Sequence, residues 1–230
     1  MRRVSLFALY LLLIILHLSI FSSQAQTLTV TDTSPYVNAN GACSLVEAII
    51  NANDDAATHA DCPAGAGADN IILSSVISLD GSTLFPASSP VFFDPGNSGL
   101  PEITSDITIT GGGLTRASAT PFRFFVVLAA GSLTLEDMSI QNGSVVGDCN
   151  FTGTPAIGCG GAIVSDGGTV ILSNTTFSGN SSSESVAADV ADGGAIKMFG
   201  GNLTISESTF SNNTAEYGGA ISVAGGTLSI

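Results

Sequence analysis

The segment Gly-Gly-Ala-Ile occurs three times, at residues 160–163, 193–196 and 218–221, and successive copies begin 33 and 25 residues apart. The first copy is followed by Gly168, Val170-Ile171-Leu172, Phe177 and Asn180. The same offsets lead from the second copy to Gly201, Leu203-Thr204-Ile205, Phe210 and Asn213, and from the third to Gly226 and Leu228. A period of this length is the signature of a repeat architecture, in which each unit buries its apolar face only by stacking on the next.

Within each unit apolar and polar residues alternate, as in Leu203-Thr204-Ile205-Ser206. That is the period of a strand with one buried face. Antiparallel hairpins would need compact paired turns and would not reproduce one register unit after unit. Coiling the chain so that each unit lies on the last stacks Leu203 over Val170, Ile205 over Leu172 and Phe210 over Phe177. The expected fold is therefore all-β, a parallel β-helix with coils about 4.8 Å apart. Weaker copies extend it upstream, at Gly131–Asn142 and at Ser105–Gly113.

Glycine suits a coil corner that needs a positive φ, or one so close to a neighbouring backbone that no Cβ fits. Gly160-Gly161, Gly193-Gly194 and Gly218-Gly219 are assigned to such a corner. Asn180 and Asn213 are assigned to another, in left-handed geometry with their amides bonding along the axis. The polar stretch Ser181–Asp192 is expected to leave the coil as a surface loop. All these residues read as architecture rather than as ligands.

The N-terminus has a secretory layout: Met1-Arg2-Arg3, an apolar run from Leu6 to Phe21, then Ser22-Ser23-Gln24-Ala25. Residues 1–25 are read as a signal peptide cut after Ala25. The rival, an uncleaved anchor, calls for ~20 apolar residues, more than this run supplies. The expected location is secreted, extracellular or the bacterial cell surface, with no membrane span in the mature chain. Removing the signal leaves Arg116, Arg123 and Lys197 as the only cations against 19 acidic residues. Nucleic-acid binding rests on Lys and Arg neutralising phosphates, so that class is excluded.

Cysteines fall into two local pairs, Cys43 with Cys62 and Cys149 with Cys159. In an oxidising compartment each pair can close a short loop, for about 3 kcal/mol of stabilisation. Four cysteines allow three connectivities, of which the local one is preferred here. A zinc site is the alternative, but there is no CxxC and only His59 remains in the mature chain to assist.

Residues 26–80 precede the main repeats, which occupy 81–230. Thr27–Asp32 reads as a strand. Ser44 with Glu47 forms a capping box, and Leu45, Val46, Ile49, Ile50 and Ala52 make the apolar side of a short helix starting there. Such a helix would cover the open end of the β-helix core.

Cys43-Ser-Leu-Val-Glu-Ala-Ile49, Asp61-Cys62-Pro-Ala-Gly65 and Gly67-Ala-Asp69-Asn-Ile71 resemble the CSLREA domain at the start of bacterial surface β-helix proteins. Val46 stands where that family usually has Arg. The Gly-Gly-Ala-Ile and Phe-x-x-Asn units resemble the repeats of the polymorphic outer-membrane proteins. Together the resemblances imply an exported, right-handed parallel β-helix that is released or held at the cell surface, often as part of a larger chain. A strand left uncapped at Ile230 suggests truncation, or a second chain covering that end.

Parallel β-helices also include pectate lyases and polygalacturonases, so catalysis must be weighed. Those enzymes need clustered carboxylates and a basic residue on one face. Here the Gly-Gly-Ala-Ile repeats from Gly160 onward offer only Lys197 and no His. Asp54-Asp55 reads as a solvated helix end, and His59 has no identifiable nucleophile to serve. Asp148, Asp166, Asp189 and Asp192 could gather on one flank to hold calcium, but their spacing fits neither an EF-hand nor a Gly-Gly-x-Gly-x-Asp repeat, and no cofactor is expected. The Asn-x-Ser/Thr triplets beginning at Asn142, Asn150, Asn174, Asn180, Asn202 and Asn212 read as incidental to the composition. The resulting expectation is a monomeric structural or adhesin-like protein contacting carbohydrate or cell-surface components. The alternative is a fragment of a pectate-lyase-like lyase or hydrolase.

Overall fold

The computed structural model describes residues 24–86, 97–147, 158–184 and 191–230. Most of the signal peptide lies outside them, as do Asp148, Cys149, Asn150 and Asp189. The period-2 strands coil as expected into a parallel β-helix. Its widest sheet has seven strands, in the order Thr27–Thr29, Asp69–Ile72, Asp106–Thr110, Ser132–Glu136, Thr169–Ser173, Asn202–Ser206 and Thr227–Ser229. A narrower five-stranded sheet runs from Val76–Leu79 through Gly113–Arg116, Ser139–Gln141 and Thr176–Ser178 to Thr209–Ser211. A third, of four strands, stacks Phe125–Leu128, Ile163–Asp166, Ile196–Met198 and Ile221–Val223. Every pairing within these three sheets is parallel. Phe85–Pro86 with Asn97–Ser98 is antiparallel.

The register follows the repeat offsets. Val170 pairs with Leu203, Leu172 with Ile205 and Phe177 with Phe210. Inward side chains form continuous columns, among them Ile107–Leu133–Val170–Leu203, all fully buried. Each buried aliphatic side chain contributes about 1.5–3 kcal/mol. The Phe177 and Phe210 rings lie face to face, 5.0 Å apart and 6° from parallel.

The two glycines of each repeat divide the corner between them. The first takes the positive φ: 57° at Gly160, 62° at Gly193 and 57° at Gly218. In the first two repeats the second lies tightly against backbone of neighbouring coils. A Cβ on Gly194 would overlap the Gly219 carbonyl oxygen and approach Thr214 N and O to 2.6 Å.

The structure corrects the assignment of Asn180 and Asn213. Left-handed geometry falls one residue earlier, at Gly179 and Asn212, and also at Asn142 in the preceding coil. A second left-handed column, Asp137, Asn174 and Glu207, turns the chain from the wide sheet into the narrow one. Asn180 instead points inward and is fully buried. Its amide donates to Ile140 O (3.1 Å) and Asn213 Oδ1 (2.9 Å), while its Oδ1 accepts from Gly143 N (2.9 Å). The predicted bonding of amides along the axis is present, in ordinary backbone geometry. The wholly looped reading of Ser181–Asp192 also needs correction, because its two ends are strand. Ser181–Ser183 pairs with Ser144–Val146, and Ala191–Asp192 with Gly158–Cys159.

Helix α1, Leu45–Asp54, starts where the capping box places it. Ser44 Oγ accepts from Glu47 N, and Glu47 Oε2 accepts from Ser44 N. Leu45, Val46, Ala48, Ile49 and Ala52 join the same apolar core as the first coils. Val46 is wholly buried there, so an apolar residue at this position is accounted for by packing. Asp55 ends the helix in left-handed geometry (φ 49°) and accepts from Gly67 N. The Cys43–Cys62 disulfide ties the start of the helix to the following loop.

Candidate functional site

On one flank, adjacent coils carry the short ladders Ser144–Val146/Ser181–Ser183 and Gly158–Cys159/Ala191–Asp192, continued by single bridges to Thr214 and Tyr217. Cys159 is buried and disulfide-bonded; its expected partner Cys149 is among the undescribed residues. It packs with Val126 and Val164, edged by Leu128 and Phe199, in a second apolar cluster separate from the main core. Because Val126 and Val164 alternate with core residues of the four-stranded sheet, this cluster covers that sheet's outer side.

Charge is buried at the same flank. Arg123 is fully buried, with Nη2 donating to Cys159 O (3.1 Å) and Nε to Gly160 O (3.4 Å). Lys197 follows Val126 and Val164 in register and is 3% exposed. Its Nζ meets Asp192 Oδ2 at 2.6 Å and Ser222 Oγ at 2.9 Å, and lies 5.1 Å from the centre of the Phe199 ring. Such a pair fixes geometry more than it adds net stability. Arg116 is only half-buried, but it too is held by the chain, donating to Asn142 O (2.7 Å), Ser118 O and Thr120 O (3.3 Å) beside Phe122. Burial lowers its pKa from the usual arginine value. All three cations outside the expected signal thus hold the scaffold together. The sequence revealed their scarcity but not the contacts that hold them.

The acidic residues also have structural tasks. Asp32 accepts from Ser34 N and Oγ and from the amides of Asn40 and Asn38, which hold its carboxyl far below the usual carboxylate range. Ser82, joined by Tyr36, brings Asp80 down to about 2. Asp69 is raised by desolvation, against the opposing bonds from Ala66 and Gln26. Asp54 accepts from Thr58. A cleft of about 150 Å³ beside the cap is lined by Asn38, Glu47, His59 and Asp61 among others. Glu47 is occupied by the N–H groups of Asn38 and Ser44, and Asp61 by those of Asn40 and Gly41. Of the carboxylates considered for calcium, Asp192 is paired with Lys197, while Asp148 and Asp189 are not described. Among the described residues no group of three or more His, Cys, Asp or Glu converges to hold a metal ion.

The remaining large surface is the outer side of the wide sheet. Its pairing aligns outward residues in columns. The central one runs Asn70, Thr108, Thr134, Ile171, Thr204 and Ser229. A flanking column runs Asp106, Ser132, Thr169, Asn202 and Thr227, and the other includes Thr110, Glu136, Ser173 and Ser206. These positions are half-buried to exposed. Thr227 Oγ1 donates to Asn202 Oδ1 at 2.7 Å, and Thr110 Oγ1 to Asn70 Oδ1 at 3.2 Å.

Residues 207–224 match the Chlamydia polymorphic membrane protein (Chlamydia_PMP) repeat. That stretch holds Phe210, Asn213 and the third Gly-Gly-Ala-Ile, and it points to a bacterial outer-membrane or surface protein. Neither the curated proteins nor the solved structures contain a match to the chain. No helix among the described residues is long and apolar enough to cross a membrane.

Proposed function

We propose that this chain is an exported bacterial surface β-helix with an adhesin-like role, contacting carbohydrate or cell-surface components without transforming them. Residues 1–25 direct export, and residues 26–80 act as a CSLREA-like cap that starts the coil stack. The observation carrying this reading is the unbroken in-register ladder whose three cations are all committed to internal contacts. A scaffold of that kind offers regular surfaces and keeps its Lys and Arg side chains in structural contacts. The repeat match supports the surface location.

The test uses the producing bacterium with the gene deleted and restored, and compares antibody labelling of intact cells with adhesion to polysaccharide-coated surfaces. Labelling without cell disruption, and adhesion that disappears and returns with the gene, are expected. Label reached only after lysis would overturn the reading. So would robust polyuronide turnover, with or without calcium, that is abolished by substituting the acidic residues of the flanks.

A further inference from the structure

We propose that the outer side of the wide sheet is a docking surface for an uncharged, extended β-linked polysaccharide. This deepens the adhesin-like reading and rests on it.

The solenoid has three long faces, and two are unsuited. The four-stranded sheet is covered, its outward column Val126–Val164–Lys197 being buried. The five-stranded sheet has strands of three or four residues, room for two outward columns at most. The wide sheet has five-residue strands in four successive coils and presents three columns.

Its charge selects the partner. On a chain of net charge −14, the aligned columns of this face carry only Asp106 and Glu136, one on each margin. The central column holds hydroxyls, an amide and Ile171. A polyanion approaching the protein meets acidic surroundings, with Arg116, Arg123 and Lys197 each engaged in contacts within the chain. An uncharged polymer meets no such repulsion. Threonine and serine hydroxyls both donate and accept, as sugar hydroxyls do. The Thr methyls and Ile171 supply the apolar contact that ring faces require.

Spacing sets the direction. Equivalent outward positions, most of them hydroxyl-bearing, recur every ~4.8 Å along the axis. That is close to the length of one sugar residue in an extended β-linked chain. A polysaccharide lying along the column therefore presents about one ring to each coil, alternate rings in the same orientation, and contacts too weak singly add up along its length.

The test is co-sedimentation of the full exported chain with microcrystalline cellulose, alongside Thr134→Arg/Thr204→Arg on the wide face and Ser139→Arg/Thr176→Arg on the narrow one. Thr134→Val/Thr204→Val removes the same hydroxyls while keeping strand preference and shape. Thermal unfolding confirms that each variant is folded. Saturable binding is expected, weakened about tenfold by either wide-face pair and less than about twofold by the narrow-face pair. Failure of the unaltered chain to sediment would overturn the proposal, as would wide-face variants that bind equally well. In either case the gene-dependent cell adhesion described above would still decide the broader reading separately.

Discussion

The second glycine of the repeat permits a comparison in which one substitution has different outcomes at equivalent positions. On Gly194 a Cβ would overlap Gly219 O and reach Thr214 N and O at 2.6 Å, all backbone atoms of the next coil. On Gly161 it would overlap the carbonyl oxygens of Ser181 and Gly194 and lie 2.8 Å from Ser181 C. None of these can swing aside as a side chain could, so the coils must part locally, breaking ladder hydrogen bonds. The cost is expected at about 3 kcal/mol or more for Gly161→Ala and Gly194→Ala. For a chain of this size that lowers Tm by roughly 6–12 °C. At Gly219 the nearest atom to a Cβ is Asn213 O at 3.6 Å, and its φ is not positive. Gly219→Ala should therefore be neutral, or stabilising by about 0.4–1 kcal/mol through the unfolded chain. Thermal and urea unfolding followed by far-UV circular dichroism measure all three. Equal losses at Gly194 and Gly219 would refute the close-approach argument.

Asn180→Ala leaves Gly143 N–H and Ile140 C=O without the bonds Asn180 now makes, and should cost about 3 kcal/mol in urea unfolding; a loss below about 0.5 kcal/mol would count against the buried amide. Phe177→Ala should cost about 3–5 kcal/mol and Phe210→Ala clearly less, because Phe177 is fully buried and Phe210 only half-buried. Asp32 has a depressed folded-state pKa, so its contribution is present above the unfolded value near 3.9 and is lost as pH falls through the lower folded value. Asp32→Ala should therefore lower stability at pH 7 and flatten the acid limb of the stability curve; an unchanged limb would contradict the assignment.

Sequence offsets were enough to place Phe210 over Phe177 and Leu203 over Val170, because a side-chain period of two leaves one register that buries a single face. The capping box was equally legible, since Ser44 and Glu47 act over three residues. The left-handed column at Asp137, Asn174 and Glu207 was not legible: three different residue types share it, and Glu does not commonly signal such geometry. Asn180 was misplaced because an inward amide satisfying three backbone or side-chain partners looks, in sequence, like a turn residue. Arg123 gave no sign of burial, since the carbonyls that receive it belong to Cys159 and Gly160, a full coil away. The ends of the Ser181–Asp192 stretch form strands only because Ser144–Val146 and Gly158–Cys159 lie beneath them. A run of serines carries no periodic signal of its own. The wide face could be read only after pairing brought Thr108, Thr134 and Thr204 into one column.

Whether this β-helix holds a surface partner without transforming it is tested most directly by following binding and product release in one incubation. The exported chain is incubated with a panel of uncharged and uronic-acid polysaccharides, with and without calcium, and bound protein and polysaccharide chain length are measured together. Reversible, saturable binding to at least one polysaccharide, with every chain length unchanged, is the predicted result. Shortened chains or new unsaturated ends that appear in proportion to added protein would contradict it.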